Sequence, residues 1–242
     1  MRSRTVRSQT EPLARYVVRV PKERLGAATV TAGLLLGGVV RLVHELPGQW
    51  SAPGNLGGPW LVAAFVAGWL ALSPRVQLHE GRPRLPAAAL AGLATLLAML
   101  VGYYLAALLV QGKGERHAVV AFWATVAVIG GPLFGAAGGA WRTWPAPRRA
   151  IAAGMLGGAL VGEAVTFMLL RTATLAGFFV IGAYGQGASV ALTAEVAIGA
   201  AVAVALPRTN RERIVALITL VVASTVAAFG MALLIDAFER FG

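Results

Sequence analysis

Apolar residues in this chain are gathered into blocks the length of a membrane span, divided by short segments rich in Arg. A helix rises about 1.5 Å per residue and the hydrocarbon core is roughly 30 Å thick, so about 20 mostly apolar residues make one crossing. Blocks of this kind run over Leu25–Leu46, Leu56–Leu72, Leu85–Val110, Ala118–Trp141, Ala150–Leu170 and Ile214–Ile235. Inside lipid every backbone N–H and C=O needs a partner, and a helix supplies those partners within its own segment. The predicted fold class is therefore all-α, a polytopic transmembrane helix bundle. Charge content agrees: 13% of the 242 residues are charged, against about 25% in soluble domains.

The apolar stretch Thr172–Pro207 is too long for one span and short for two, and Gly182, Gly185 and Gly187 interrupt it. Ala188–Leu206 reads as a sixth span, with Thr172–Gly187 re-entrant or interfacial at the outer face. Ile214–Ile235 is then the seventh. Basic residues decide between this reading and its rivals through the positive-inside rule. With the N-terminus cytoplasmic, sixteen of the 21 Lys and Arg fall on the inner side. Five (Arg41, Lys113, Arg116, Arg171 and Arg240) fall outside. Two crossings within Thr172–Leu206 would move Arg208, Arg211 and Arg213 outside and spoil the pattern. The expected organisation is a basic cytoplasmic arm over 1–24, a transmembrane domain over 25–236, and a short outer tail over 237–242. Leu25–Leu46 is followed by no small-residue cleavage site and reads as an uncleaved anchor. The expected location is a bacterial cytoplasmic (inner) membrane.

A net charge of +11 would suggest nucleic acid in a soluble protein. Here the basic residues sit between apolar blocks, and the expected partners are the bilayer itself and anionic lipids at the inner face. A partner membrane protein or a second copy of the chain is a further possibility. With no Cys, thiol chemistry and cysteine metal sites are excluded. His44, His79 and His117 lie in or beside connections, which argues against haem held by two histidines. No cofactor or metal is implied. Walker and HExxH signatures are missing, and Gly187-Ala188-Ser189-Val190 lacks the closing Gly of a serine-nucleophile motif. The expectation is a protein that is not an enzyme, an intramembrane enzyme being the reading for which no residue set argues.

Two spans carry Gly at every fourth position: Gly131, Gly135 and Gly139 in the fourth, and Gly154, Gly158 and Gly162 in the fifth. That spacing places each triplet on one helix face, where it admits the close approach of another backbone. The short connection Arg142–Arg149 suggests that the two stripes face one another in an antiparallel hairpin.

Glu163 and Glu195 are the only acidic residues deep inside apolar spans. An ionisable group at the bilayer centre costs at least about 2.5–3.5 kcal/mol on insertion scales and usually faces a cavity or a partner. The fifth span runs outward and the sixth inward, so both carboxyls lie near mid-depth, where they can meet as a proton- or cation-binding pair. Thr166 is a hydrogen-bond partner for Glu163 on the same turn. The bland alternative is a protonated Glu that bonds a neighbouring helix and does nothing more. A second cluster (Arg41, His44 and Glu45) marks the outer end of the first span. Arg41 there is expected to snorkel to headgroups with Glu45 as its ion-pair partner, or to serve an outer gate or an anionic ligand.

The order of landmarks resembles an actinobacterial multi-pass membrane family of unknown function. The residues that carry the resemblance are Pro59-Trp60 with Gly68, Tyr103-Tyr104, Gly131-Pro132-Leu133-Phe134-Gly135 through Gly139 and Arg142, and Glu163. It covers Trp60–Arg171 and implies a shared fold without an assigned activity. Two function classes remain. One is a small carrier or carrier subunit for a cation, proton or small solute. The other is a scaffold or accessory subunit that docks a partner membrane protein through its glycine stripes.

Overall fold

The computed structural model describes residues 22–47, 51, 54, 56–72, 85–112, 117–172 and 188–241. The basic arm, the connection carrying Arg75, His79, Arg82 and Arg84, and the expected re-entrant segment up to Gly187 lie outside the described residues, save for Lys22–Arg24 and Thr172. Among the described residues seven α-helices follow one another: α1 (Lys22–His44), α2 (Gly58–Ala71), α3 (Leu85–Gln111), α4 (His117–Thr143), α5 (Ala146–Thr172), α6 (Ala188–Ala205) and α7 (Asn210–Phe241). Five of them (α1, α3, α4, α5 and α7) are long and apolar enough to cross a membrane, while α2 and α6 are shorter. α7 continues past Ile235 through the expected tail, where Asp236 and Arg240 pair one turn apart at 2.9 Å.

Close glycine contacts fix the helix directions. Gly33 of α1 meets Thr95 and Ala98 of α3, and Gly38 meets Gly102 and Ala106, so α1 and α3 run parallel. Gly154, Gly158 and Gly162 of α5 meet Ala216, Ala223 and Ala227 of α7 in rising order, another parallel pair. Gly131 and Gly139 of α4 meet Leu93 and Ala88 of α3 in falling order, so that pair is antiparallel. α5 is the central helix. Its apolar stretch is 72% buried against 6% for α7, whose other side is a row of exposed aliphatic residues.

This arrangement corrects the expected hairpin of glycine stripes. All six glycines lie at close helix contacts, but the α4 stripe packs on α3 and the α5 stripe on α7. The short α4–α5 connection does make them neighbours in space, yet spacing says only that a face is small. Which helix fills it depends on the rotation of each helix about its axis. At the centre of the first group, Gly68 of α2, Gly92 of α3 and Gly135 of α4 meet backbone to backbone.

The N-terminal ends of α5 and α7 are tied by charge. Thr209 caps α7, its hydroxyl accepting the Glu212 backbone N–H at 3.2 Å, while the Glu212 carboxylate accepts the Arg208 N–H at 3.1 Å. This resembles the capping box of a Thr-x-x-Glu start, with the return bond made by the residue before the cap. Arg149, at the first turn of α5 and 5.4 Å over the Trp141 ring, reaches the same carboxylate at 3.4 Å. The Arg208 N–H, followed by Arg149 and Thr209, holds the Glu212 carboxyl below its usual range despite burial. A group depressed on folding stabilises the native state above its unfolded value and loses that contribution as pH falls through its folded value. Acidification should therefore weaken the α5–α7 end, and Glu212→Gln should remove that acid-side loss in thermal melts across pH. Thr209→Ala should cost about 1 kcal/mol through the lost cap, read in the same melts at neutral pH.

Candidate functional site: two carboxyls at the start of a short helix

The start of α2 is built by Gly57-Gly58-Pro59. The first backbone N–H groups of a helix have no partner within it. Pro59 carries no N–H, and the Trp60 N–H turns back to the Gly57 carbonyl at 2.9 Å. The N–H groups of Gly57 and Gly58 are what this helix end presents outward. Gly57 donates to Oε1 of Glu163 at 2.5 Å. The Glu163 carboxyl thus occupies the place where a helix N-terminus ordinarily holds an anion.

Glu195 arrives from α6. A Cβ placed on Gly58 would fall on its Oε1 and reach Leu160 Cδ2 at 2.7 Å, while one placed on Gly57 would lie 3.2 Å from both oxygens of Glu163. Gly57 and Gly58 are consecutive, so the two carboxyls converge on one helix start. Glu163 and Glu195 are 5% and 6% exposed. Neither oxygen of Glu195 has a partner of hydrogen-bond geometry among the described residues. A side chain at Gly58 would enter the volume of the Glu195 carboxyl, and one at Gly57 would press tightly on Glu163. Leu56, Ala164, Phe167 and Leu192 pack as one apolar cluster beside the pair.

Glu163 and Glu195 both approach the start of α2, and Thr166 is not the hydrogen-bond partner of Glu163. Thr166 donates back to the Gly162 carbonyl at 2.8 Å, as a helical Thr commonly does when its hydroxyl is buried, and Glu163 bonds α2 instead. Gly57 and Gly58 went unnoticed in the sequence as site residues. Their signal was available, since Pro in the first turn after small residues marks a helix start, but the stretch reads equally well as a chain breaker.

A small cavity of about 60 Å³ is lined by Gly54, Leu56, Trp60, Leu100, Tyr103, Tyr104 and Trp123. Leu56 belongs both to its wall and to the apolar cluster. The Arg41 cluster borders Tyr103. Arg41 donates to the Tyr103 hydroxyl at 3.0 Å and to Gln111, pairs with Glu45 at 3.1 Å, and lies 5.1 Å from the Tyr103 ring centroid. It is buried. The expected snorkelling to headgroups is therefore wrong, because three partners on α1 and α3 hold the guanidinium between the helices. The ion pair with Glu45 is present, and His44 meets the Tyr103 ring edge-on at 6.3 Å.

Among the described residues no group of three His, Asp or Glu has the arrangement of a metal site. No curated protein and no solved structure matches the chain. The family of unknown function DUF6518 matches over residues 19–237, a wider stretch than the landmarks Trp60–Arg171. With its apolar helices and this match along most of its length, the chain belongs to the DUF6518 family.

Proposed function

We propose that this protein is a small membrane carrier, or the membrane subunit of one, that binds a proton, cation or small solute at Glu163 and Glu195. In this reading the chain crosses the membrane seven times from a cytoplasmic N-terminus. The alternating helix directions and the basic inner ends support it. The carrying observation is that two buried carboxyls from different helices converge on the N-terminal end of a short apolar helix. Carriers commonly place their sites where a discontinuous helix ends within the bilayer. With its C-terminal end at the inner boundary, α2 rises about 21 Å and leaves its start roughly 10 Å below the outer surface.

A scaffold role would need a surface other than the glycine stripes, which α3 and α7 already fill.

Reconstitution into liposomes loaded with a pH-sensitive dye tests the carrier reading against gradients of protons, alkali cations and a panel of small solutes. Losing one charged contact worth about 1.5–3 kcal/mol lowers affinity by roughly ten- to a hundredfold. Glu163→Gln and Glu195→Gln should each lose flux on that scale while remaining folded. Absence of flux in the parent under every gradient, together with unchanged thermal stability across the panel, would overturn the reading.

A further inference from the structure

We propose that Glu163 and Glu195 hold one proton between them, and that a proton rather than a metal cation is the ion this site takes up and releases. The inference deepens the carrier reading and rests on it for the choice of these two residues as the working site. The helix start faces the pair with donors only, the N–H groups of Gly57 and Gly58. One carboxylate is well matched to such an end, since the helix dipole and two N–H groups favour a single negative charge. A second ionised carboxyl beside it has no counter-charge. Among the described residues no basic side chain contacts the pair: Arg41 and His44 are engaged around Tyr103, and Arg149 with Glu212.

The two oxygens of Glu195 are buried and without hydrogen-bond partners among the described residues, so an ionised Glu195 would be an uncompensated charge there. A proton on Glu195 resolves both problems at once. Its O–H donates to the Glu163 carboxylate, and the pair carries one negative charge, placed on the helix end. A metal ion fits less well. Hard cations require about six or more oxygen ligands. The pair offers four carboxyl oxygens, one already accepting the Gly57 N–H, and the flanking N–H groups point their positive ends at the same space. Thr166, the nearest hydroxyl on the Glu163 turn, gives its proton to Gly162. From α7, Ser224 approaches Gly162 while donating to the Val221 carbonyl.

Two variants separate the roles. Glu195→Gln places an amide N–H where the acid O–H would be, so it imitates the protonated pair. It should melt close to the parent and lose proton exchange. Glu163→Gln removes the charge from the helix start and should lower the melting temperature more than Glu195→Gln does.

The experiment is infrared spectroscopy of the full-length protein in detergent, followed through an acid-to-alkaline titration, with melts in sodium, potassium, lithium, magnesium and calcium at fixed pH. The expected result is a protonated-carboxyl band near neutral pH that Glu195→Gln abolishes, and a melting temperature that none of the five metal ions raises through Glu195. Absence of the band wherever the protein is folded, or persistence of the same band in Glu195→Gln, overturns the proposal. So does stabilisation by a metal ion that Glu195→Gln removes. The band with its expected mutant behaviour, in a protein that carries no flux in liposomes, would leave the proton site standing and overturn the carrier reading alone.

Discussion

Gly135→Ala should lower the stability of the protein by about 1–3 kcal/mol, and Gly135→Leu should prevent it from reaching its folded form. A Cβ on Gly135 meets the Ala88 carbonyl oxygen and stands 2.9 Å from the Gly92 Cα and 3.0 Å from the Gly92 N. All three are backbone atoms of α3, which cannot turn aside as a flexible side chain can. Relief requires α3 and α4 to move apart, and Gly68 of α2 packs against the same Gly135. Dispersion contacts across such helix faces are what hold helices together in lipid, where no hydrophobic term drives association. Gly230 of α7 provides the control. A Cβ there meets nothing within 4 Å, so Gly230→Ala should be neutral or should stabilise the helix by about 0.5–1 kcal/mol. Thermal unfolding of the detergent-purified variants measures the contrast. Equal melting temperatures for Gly135→Ala and Gly230→Ala would show that this three-helix contact does not limit stability.

The second large effect is expected at Arg41. Arg41→Leu keeps an apolar stem but takes the partner from the Tyr103 hydroxyl and from Gln111. Both partners are half-buried, so each lost hydrogen bond costs about 0.5–1.5 kcal/mol. Glu45 is 40% exposed and can return to water, so its share of the ion pair is worth at most about 1 kcal/mol. Glu45→Gln should accordingly melt close to the parent, while Arg41→Leu should melt well below it. The double variant should resemble Arg41→Leu alone. If Glu45→Gln proves as damaging as Arg41→Leu, the ion pair rather than the α1–α3 hydrogen bonds holds this end together.

Much of the architecture was legible because lipid imposes a coarse rule. Backbone polarity forces helices, span length forces blocks of about 20 residues, and both are written as composition along the chain. The helices α3, α4, α5 and α7 therefore fall where the apolar blocks predict them. Two buried acidic residues also stood out, because an ionisable group within a span is costly enough to be rare.

What the sequence could not give was rotation. Hydropathy is nearly uniform around a membrane helix, so no apolar stripe announces which face looks inward. Gly131, Gly135 and Gly139 identified a small face on α4, and Gly154, Gly158 and Gly162 one on α5. Only packing decided that α3 and α7 fill them. The same holds for Arg41, which composition places at an interface and three hydrogen-bonding or ionic partners draw into the protein. At the candidate site, the sequence by itself determined that Glu163 and Glu195 are exceptional. That both converge on Gly57 and Gly58 was decided by tertiary structure alone, because the Gly57–Glu163 bond joins residues 106 positions apart and the convergence depends on three helices meeting.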